Sequence, residues 1–132
     1  MIDESTFLGL IEKMNWSELD AYEIVAKENG LINDALLPGL ESERKQVIEL
    51  LIRLFVEKSM ESAIPCLFEV IKLQPNSANA IRARNALIRF GMKAMPESHK
   101  YINDPKWIVR FHTVQIIAMT KHCDVLEILI RC

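Results

Sequence analysis

Apolar side chains recur at helical spacing along almost the whole of this chain, and short polar breaks divide the pattern into segments. Phe7, Leu8, Ile11 and Met14 fall on one face of a first helix predicted from Asp3 to Met14, with Asp3, Glu4 and Ser5 favouring its start. Asn15-Trp16-Ser17 interrupts it. Ser17, with Asp20 three residues on, reads as the cap of a second helix through Glu28, whose apolar side is Leu19, Tyr22, Ile24, Val25 and Ala26. Asn29-Gly30 closes that helix, because glycine reaches the left-handed conformation that ends helices without steric penalty. A short helix from Leu31 to Leu37 is expected before the Pro38-Gly39 turn. The next helix, about Glu43 to Lys58, places Val47, Ile48, Leu50, Leu51, Leu54 and Phe55 over more than one stripe, as a helix packed between neighbours does. Its polar edge is Lys45, Glu49, Arg53 and Glu57, four apart with alternating sign. These are predicted to pair along one solvated ridge for roughly 0.2–0.5 kcal/mol per pair.

The second half continues in the same manner. Ser59 to Leu73 carries Ala63, Ile64, Leu67, Phe68, Val70 and Ile71 inward, and Pro65 implies either a true start near Ala63, with the proline in the first turn, or a kink. After Gln74-Pro75-Asn76, Ser77 caps a helix with a small-residue face of Ala80, Ala83, Ala86, Leu87 and Phe90, stopped by Gly91; Arg82, Asn85 and Arg89 project elsewhere. Asp104 is the expected cap, with Pro105 at the first helical position, of a helix whose core stripe is Trp107, Phe111, Val114 and Ala118. Lys121 to Asp124 is expected to separate a last helix, Val125 to Arg131, with Val125, Leu126, Ile128, Leu129 and Ile130 and few polar positions. A helix so apolar is expected to be buried, to belong to a longer array, or to meet another chain, with self-association through this C-terminal helix as one form of the last.

Parts of this pattern repeat. Ala63-Ile64-Pro65 returns as Ala94-Met95-Pro96, 31 residues on, and Ile81-Arg82 returns as Val109-Arg110, 28 residues on. A period near 30 residues built from helices is the mark of an α-solenoid. The run Ala94-Met95-Pro96, Tyr101-Ile102-Asn103-Asp104-Pro105, Val109-Arg110 and Ile116-Ile117-Ala118 resembles a HEAT repeat, including its Asp-Pro turn and the Val-Arg pair of its second helix. Ala63-Ile64-Pro65 with Ile81-Arg82 and Ala86-Leu87 resembles a looser copy without the Asp, and Leu37-Pro38 is a faint echo. The resemblance covers about residues 60–120. It implies an all-α fold: a right-handed α-solenoid of antiparallel helix pairs, about eight or nine helices in a single domain over 1–132. Residues 1–58 would form N-terminal helices with weak repeat signal, 59–120 two HEAT-like units and 121–132 a terminal helix. In that family the turn Asp and the Arg tie adjacent repeats together, so Asp104, Arg82 and Arg110 are implied to be structural, and Pro65, Pro96 and Pro105 to shape the repeat. A competing run, Ala63 with Val70-Ile71-Lys72-Leu73-Gln74-Pro75-Asn76-Ser77 and Ala80, is similar to a tetratricopeptide repeat junction and is the alternative reading.

Composition narrows the class without adding chemistry. The chain has 132 residues, half of them apolar and 26% charged, with only 4 Gly and 5 Pro, which excludes low-complexity disorder and turn-rich all-β folds. Three cysteines without CxxC spacing and an N-terminus lacking a signal-peptide pattern fit a reducing, cytoplasmic setting. The longest mainly apolar stretches fall far short of the ~20 residues a membrane span requires. Net charge is −2 but unevenly spread: residues 1–66 hold 6 basic and 13 acidic side chains, and residues 67–132 hold 10 and 5. Such polarity offers separate docking surfaces to basic and acidic partners, or a route to head-to-tail association.

No nucleophile elbow, zinc spacing, His-Glu-x-x-His or phosphate loop occurs, so no catalytic residue, metal site or cofactor is assigned and the protein is read as a non-enzyme. His122-Cys123-Asp124 reads as an ordinary helix junction, His99 and His112 as surface or semi-buried histidines and Cys66 as core. The expected function is a protein–protein interaction module, an adaptor or an inhibitor of the immunity-protein kind, using the helical-repeat surface. Its candidate contact residues are Arg53, Arg82, Asn85, Arg89 and Arg110, on the polar ridge of the second helices; the partner's identity is not encoded. The alternative is nucleic-acid binding through Arg82, Arg84, Arg89, Lys106 and Arg110, for which the HEAT-like base-excision glycosylases are the family precedent, with Trp107 as a stacking residue.

Overall fold

The structure, a computed structural model, describes the backbone of residues 2–131 and the side chains of residues 2–120 apart from Trp16. Among the described residues there are seven α-helices and no strand: α1 (Glu4–Ile11), α2 (Leu19–Glu28), α3 (Lys45–Glu57), α4 (Ile64–Leu73), α5 (Ala78–Phe90), α6 (Met95–Tyr101) and α7 (Trp107–Arg131). Four 3-10 segments join them, Trp16–Glu18, Asp34–Glu41, Glu61–Ala63 and Gly91–Ala94. The count is below the eight or nine expected for two reasons. Leu31–Leu37 is not a helix, its place being taken by the 3-10 segment Asp34–Glu41, and the expected break at Lys121–Asp124 is absent because α7 runs through it. The chain divides into two compact units, Met1–Cys66 and Leu67–Cys132.

In the first unit the 3-10 segment Asp34–Glu41 packs against both α1 and α3. Asn33 caps it by accepting from the Ala35 N–H, and its amide donates to Glu4 Oε1 at 2.8 Å, which holds the Glu4 carboxyl below its ordinary pKa. Gly39 is where the three elements meet: a Cβ there would collide with the side chains of Leu51 on α3 and Leu8 on α1. α3 is buried on several faces through Val47, Ile48, Leu50, Leu51, Ile52, Leu54 and Phe55, as its pattern predicted. The start of α2 differs from expectation. Trp16–Glu18 forms a 3-10 turn, the Glu18 carboxylate accepts from the Asn15 N–H, and Ser17 does not act as the cap. Ile24, expected on the apolar side of α2, is 54% exposed. Arg44, which the sequence did not single out, directs its guanidinium to the carbonyls of Glu12 and Met14 and so satisfies acceptors left open beyond the end of α1.

Three local passages are alike. α2 ends at Gly30 (φ +62) with the Leu31 N–H returning to Ala26 O, and α3 ends at Ser59 (φ +53) with the Met60 N–H returning to Phe55 O. This six-to-one bond with a left-handed residue inside it is the Schellman closure. α5 ends at Gly91 (φ +66). After each comes a 3-10 segment and a proline: Pro38 inside its segment, Pro65 second in α4 and Pro96 second in α6. Pro65 thus lies in the first turn and α4 starts at Ile64, where a missing N–H costs nothing because it would have no intrahelical partner.

Within the second unit, α5 and α6 both pack on α7. Ser77 caps α5, its hydroxyl accepting from the Ala80 N–H at 3.1 Å, and Ala80, Ala83, Ala86 and Leu87 are buried as expected. Leu67, Phe68, Val70 and Ile71 of α4 are buried as well.

Candidate functional site

The turn before α7 is built on Asp104, which is buried. Its carboxylate accepts from the Lys106 N–H at 2.9 Å and pairs with Lys72 Nζ of α4 at 3.6 Å. The helix begins at Trp107, so Asp104 does not cap it directly and Pro105 is not its first residue; Asp104 instead shapes the bend two residues upstream. Arg110 donates to the carbonyls of Asp104 and Pro105, and Lys106 Nζ donates to Lys72 O at 3.1 Å. Beside them the Tyr101 ring stacks on Phe68 at 4.8 Å and its hydroxyl donates to Glu69 Oε1 at 2.9 Å. Burial first, then that bond, pushes the Tyr101 phenol pKa up, so it stays a donor. The cluster ties α4, α6 and the start of α7 together and holds no nucleophile beside a base.

α7 itself inverts the expected packing. Its buried face is Val109, His112, Thr113, Ile116 and Thr120. Two of the polar residues are satisfied there: Thr113 Oγ1 donates to Val109 O at 2.8 Å, and His112 Nε2 donates to Pro75 O at 2.9 Å. The other ring nitrogen of His112 then accepts from the Arg84 guanidinium, 3.5 Å away. The expected core stripe faces away from this core. Trp107 is 67% exposed, Phe111 46% and Val114 51%; Ala118 and Met119 are exposed too. At 100° per residue, Trp107, Phe111, Val114 and Ala118 line up along the helix directly opposite the buried residues.

The expected contact residues are divided between the two units. Arg53 lies in an ion-pair network of the first unit, 3.4 Å from Asp20, 3.5 Å from Glu23 and 3.8 Å from Glu49. The ridge Lys45, Glu49, Arg53, Glu57 therefore pairs across to α2 as well as along α3, with Glu57 joined to Lys27 at 2.8 Å. In the second unit Arg82 donates to Asn79 Oδ1, Arg110 holds the turn, and Asn85 and Arg89 are exposed on α5. Cys66 is half-buried rather than core, and His99 is exposed. Among the described residues no group of three His, Cys, Asp or Glu is placed to hold a metal ion, and no helix is long and apolar enough to cross a membrane. His122-Cys123-Asp124 and the apolar run Val125–Ile130 lie outside the described side chains. An open depression between Ala26, Gly30, Ile32 and the Lys27–Glu57 pair carries no convergent chemistry. Neither a family model, nor a curated protein, nor a solved structure matches the chain.

Proposed function

We propose that the protein is a binding module of the helical-repeat kind, acting by contact and not by reaction, with the outward stripe of α7 at the centre of its contact surface. The observation that carries this is the exposure of Trp107, Phe111 and Val114 on one helix face whose opposite face is already packed. Monomers rarely leave large apolar side chains aligned in this way, and Trp anchors are over-represented where proteins meet. Asn85 and Arg89, on α5 of the same unit, are the fully exposed residues of the expected polar ridge there. The recurrence of a left-handed residue, a 3-10 segment and a proline supports a HEAT-like ancestry for the helix pairs, and Arg110 and Asp104 then act as the residues that fix the repeat turn.

The test is affinity capture with the tagged protein, with and without nuclease, against a Trp107→Ser, Phe111→Ser variant whose melting temperature is measured beside it. A stoichiometric protein that survives nuclease and is lost with the variant, at unchanged melting temperature, is the expected result. A second reading is favoured by the same exposed Trp107: with Lys106 and Arg110 nearby it could stack an unpaired base. Recovery of nucleic acid, with all captured protein lost on nuclease treatment, would decide for that reading.

A further inference from the structure

We infer that the outward face of α7 docks an acidic amphipathic α-helix, an inference that rests on the binding-module reading and specifies its partner. The spacing of the stripe gives the shape. Trp107, Phe111, Val114 and Ala118 are separated by four, three and four residues, the alternation with which one helix presents a seam to another. A helix crossing at a shallow angle meets all four positions.

Charge then selects the kind of helix. From Pro105 to Thr120 the chain has no acidic side chain, and its cations are Lys106 and Arg110. Arg110 lies on one flank of the stripe with Lys106 in the turn that leads into the helix, while the other flank carries Gln115. The bonds these cations make are to backbone carbonyls, Lys106 to Lys72 and Arg110 to Asp104 and Pro105. A carbonyl fixes where the charge sits without neutralising it, so the flank stays positive and is pre-positioned. The surrounding unit adds to this field, with 10 basic and 5 acidic side chains over residues 67–132. Glutamates beside the apolar seam of a partner helix complement this flank, and lysines there oppose it.

The experiment uses two synthetic helical peptides about three heptads long, with identical leucine seams and either Glu or Lys at the flanking positions. The chain has two tryptophans, so the full-length Trp16→Phe protein reports Trp107 fluorescence alone. The Glu-flanked peptide should shift Trp107 emission to the blue and bind about tenfold or more tighter than the Lys-flanked one, with the preference fading as salt rises. Phe111→Ser should abolish the shift, and Lys106→Glu with Arg110→Gln should remove or reverse the preference while the leucine seam still binds. Equal binding of the two peptides, or binding of neither, overturns the proposal. So does saturable dimerisation in sedimentation that Phe111→Ser abolishes, which would make a second copy the occupant, or a single-stranded oligonucleotide that outcompetes the Glu peptide at Trp107. If the peptides fail while the Trp107→Ser, Phe111→Ser variant still loses a nuclease-resistant protein, the helix is wrong and the module reading stands.

Discussion

The two units differ in what their long helices cover and in the charges set beside those helices. In the first, Arg53 reaches Asp20 and Glu23 across to α2 and Glu49 along α3, and Lys27 reaches Glu57 across to α3 and Glu23 along α2. Its long helix, α3, buries residues around most of its circumference. In the second, Lys72 pairs with Asp104 and Lys100 with Glu97, Arg84 meets a histidine, Lys106 and Arg110 meet carbonyls as Arg44 does in the first, and α7 packs one face while lining the other with Trp107, Phe111 and Val114. Exposed aromatics beside carbonyl-held cations are what set α7, and not α3, apart as the face proposed for docking.

The sharpest way to break that contrast is to remove the same side chain from each. Phe55 is fully buried in α3, and Phe55→Ala should cost about 3–5 kcal/mol through lost transfer energy and the cavity left behind. Phe111 is 46% exposed on α7, and Phe111→Ala should stay within about 1 kcal/mol. Denaturant melts of both variants measure this directly. A comparable loss for Phe111→Ala would mean that the stripe of α7 is covered within the chain, and the docking surface would have to be sought elsewhere.

The misreading of α7 has a physical origin. The helix carries two seams of nearly equal spacing on opposite sides, Trp107, Phe111, Val114 and Ala118 against Val109, Thr113, Ile116 and Thr120. Ranking side chains by hydrophobicity selects the first, and that ranking expects His112 and Thr113 to face water. They are inside because each finds a partner: Thr113 the carbonyl one turn back, His112 the carbonyl of Pro75, 37 residues away in sequence. A contact that distant leaves no local signal. α3 and α4 were legible because their apolar residues outnumber any single stripe, so no choice of face was required. Likewise the spacing of Glu49 and Arg53 announced their pair, while Asp20 and Glu23 on α2 became partners only through packing.

Helix ends give a second, smaller test of the same contrast. Gly91 closes α5 at φ +66, ψ −135, a conformation other residues rarely reach, and a Cβ there would meet open space. Gly91→Ala should therefore cost about 1–3 kcal/mol as backbone strain alone. Ser59 closes α3 at φ +53 without being glycine, a left-handed residue that bears strain in the folded state. Ser59→Gly relieves it but frees the unfolded chain, for a net gain of about 0.5–1 kcal/mol. Thermal melts should move in opposite directions for the two changes. A loss for Ser59→Gly would show that its side chain makes the closure it was thought to strain.

The smallest expected effect bears on the charges themselves. Arg53 is 44% exposed and touches three carboxylates, so Arg53→Ala should lower stability by no more than about 1 kcal/mol, and less in high salt. The sign matters more than the size, because removal leaves Asp20, Glu23 and Glu49 facing one another across α2 and α3 without their shared cation. Arg89→Ala, on the exposed face of α5, should leave stability unchanged and act only on binding. Melts at low and high salt for both variants separate the roles: a salt-sensitive loss confined to Arg53 assigns that arginine to the architecture of the first unit and leaves Arg89 to a partner. If Arg89→Ala destabilises as much as Arg53→Ala, Arg89 is held within the second unit and is not left for a partner.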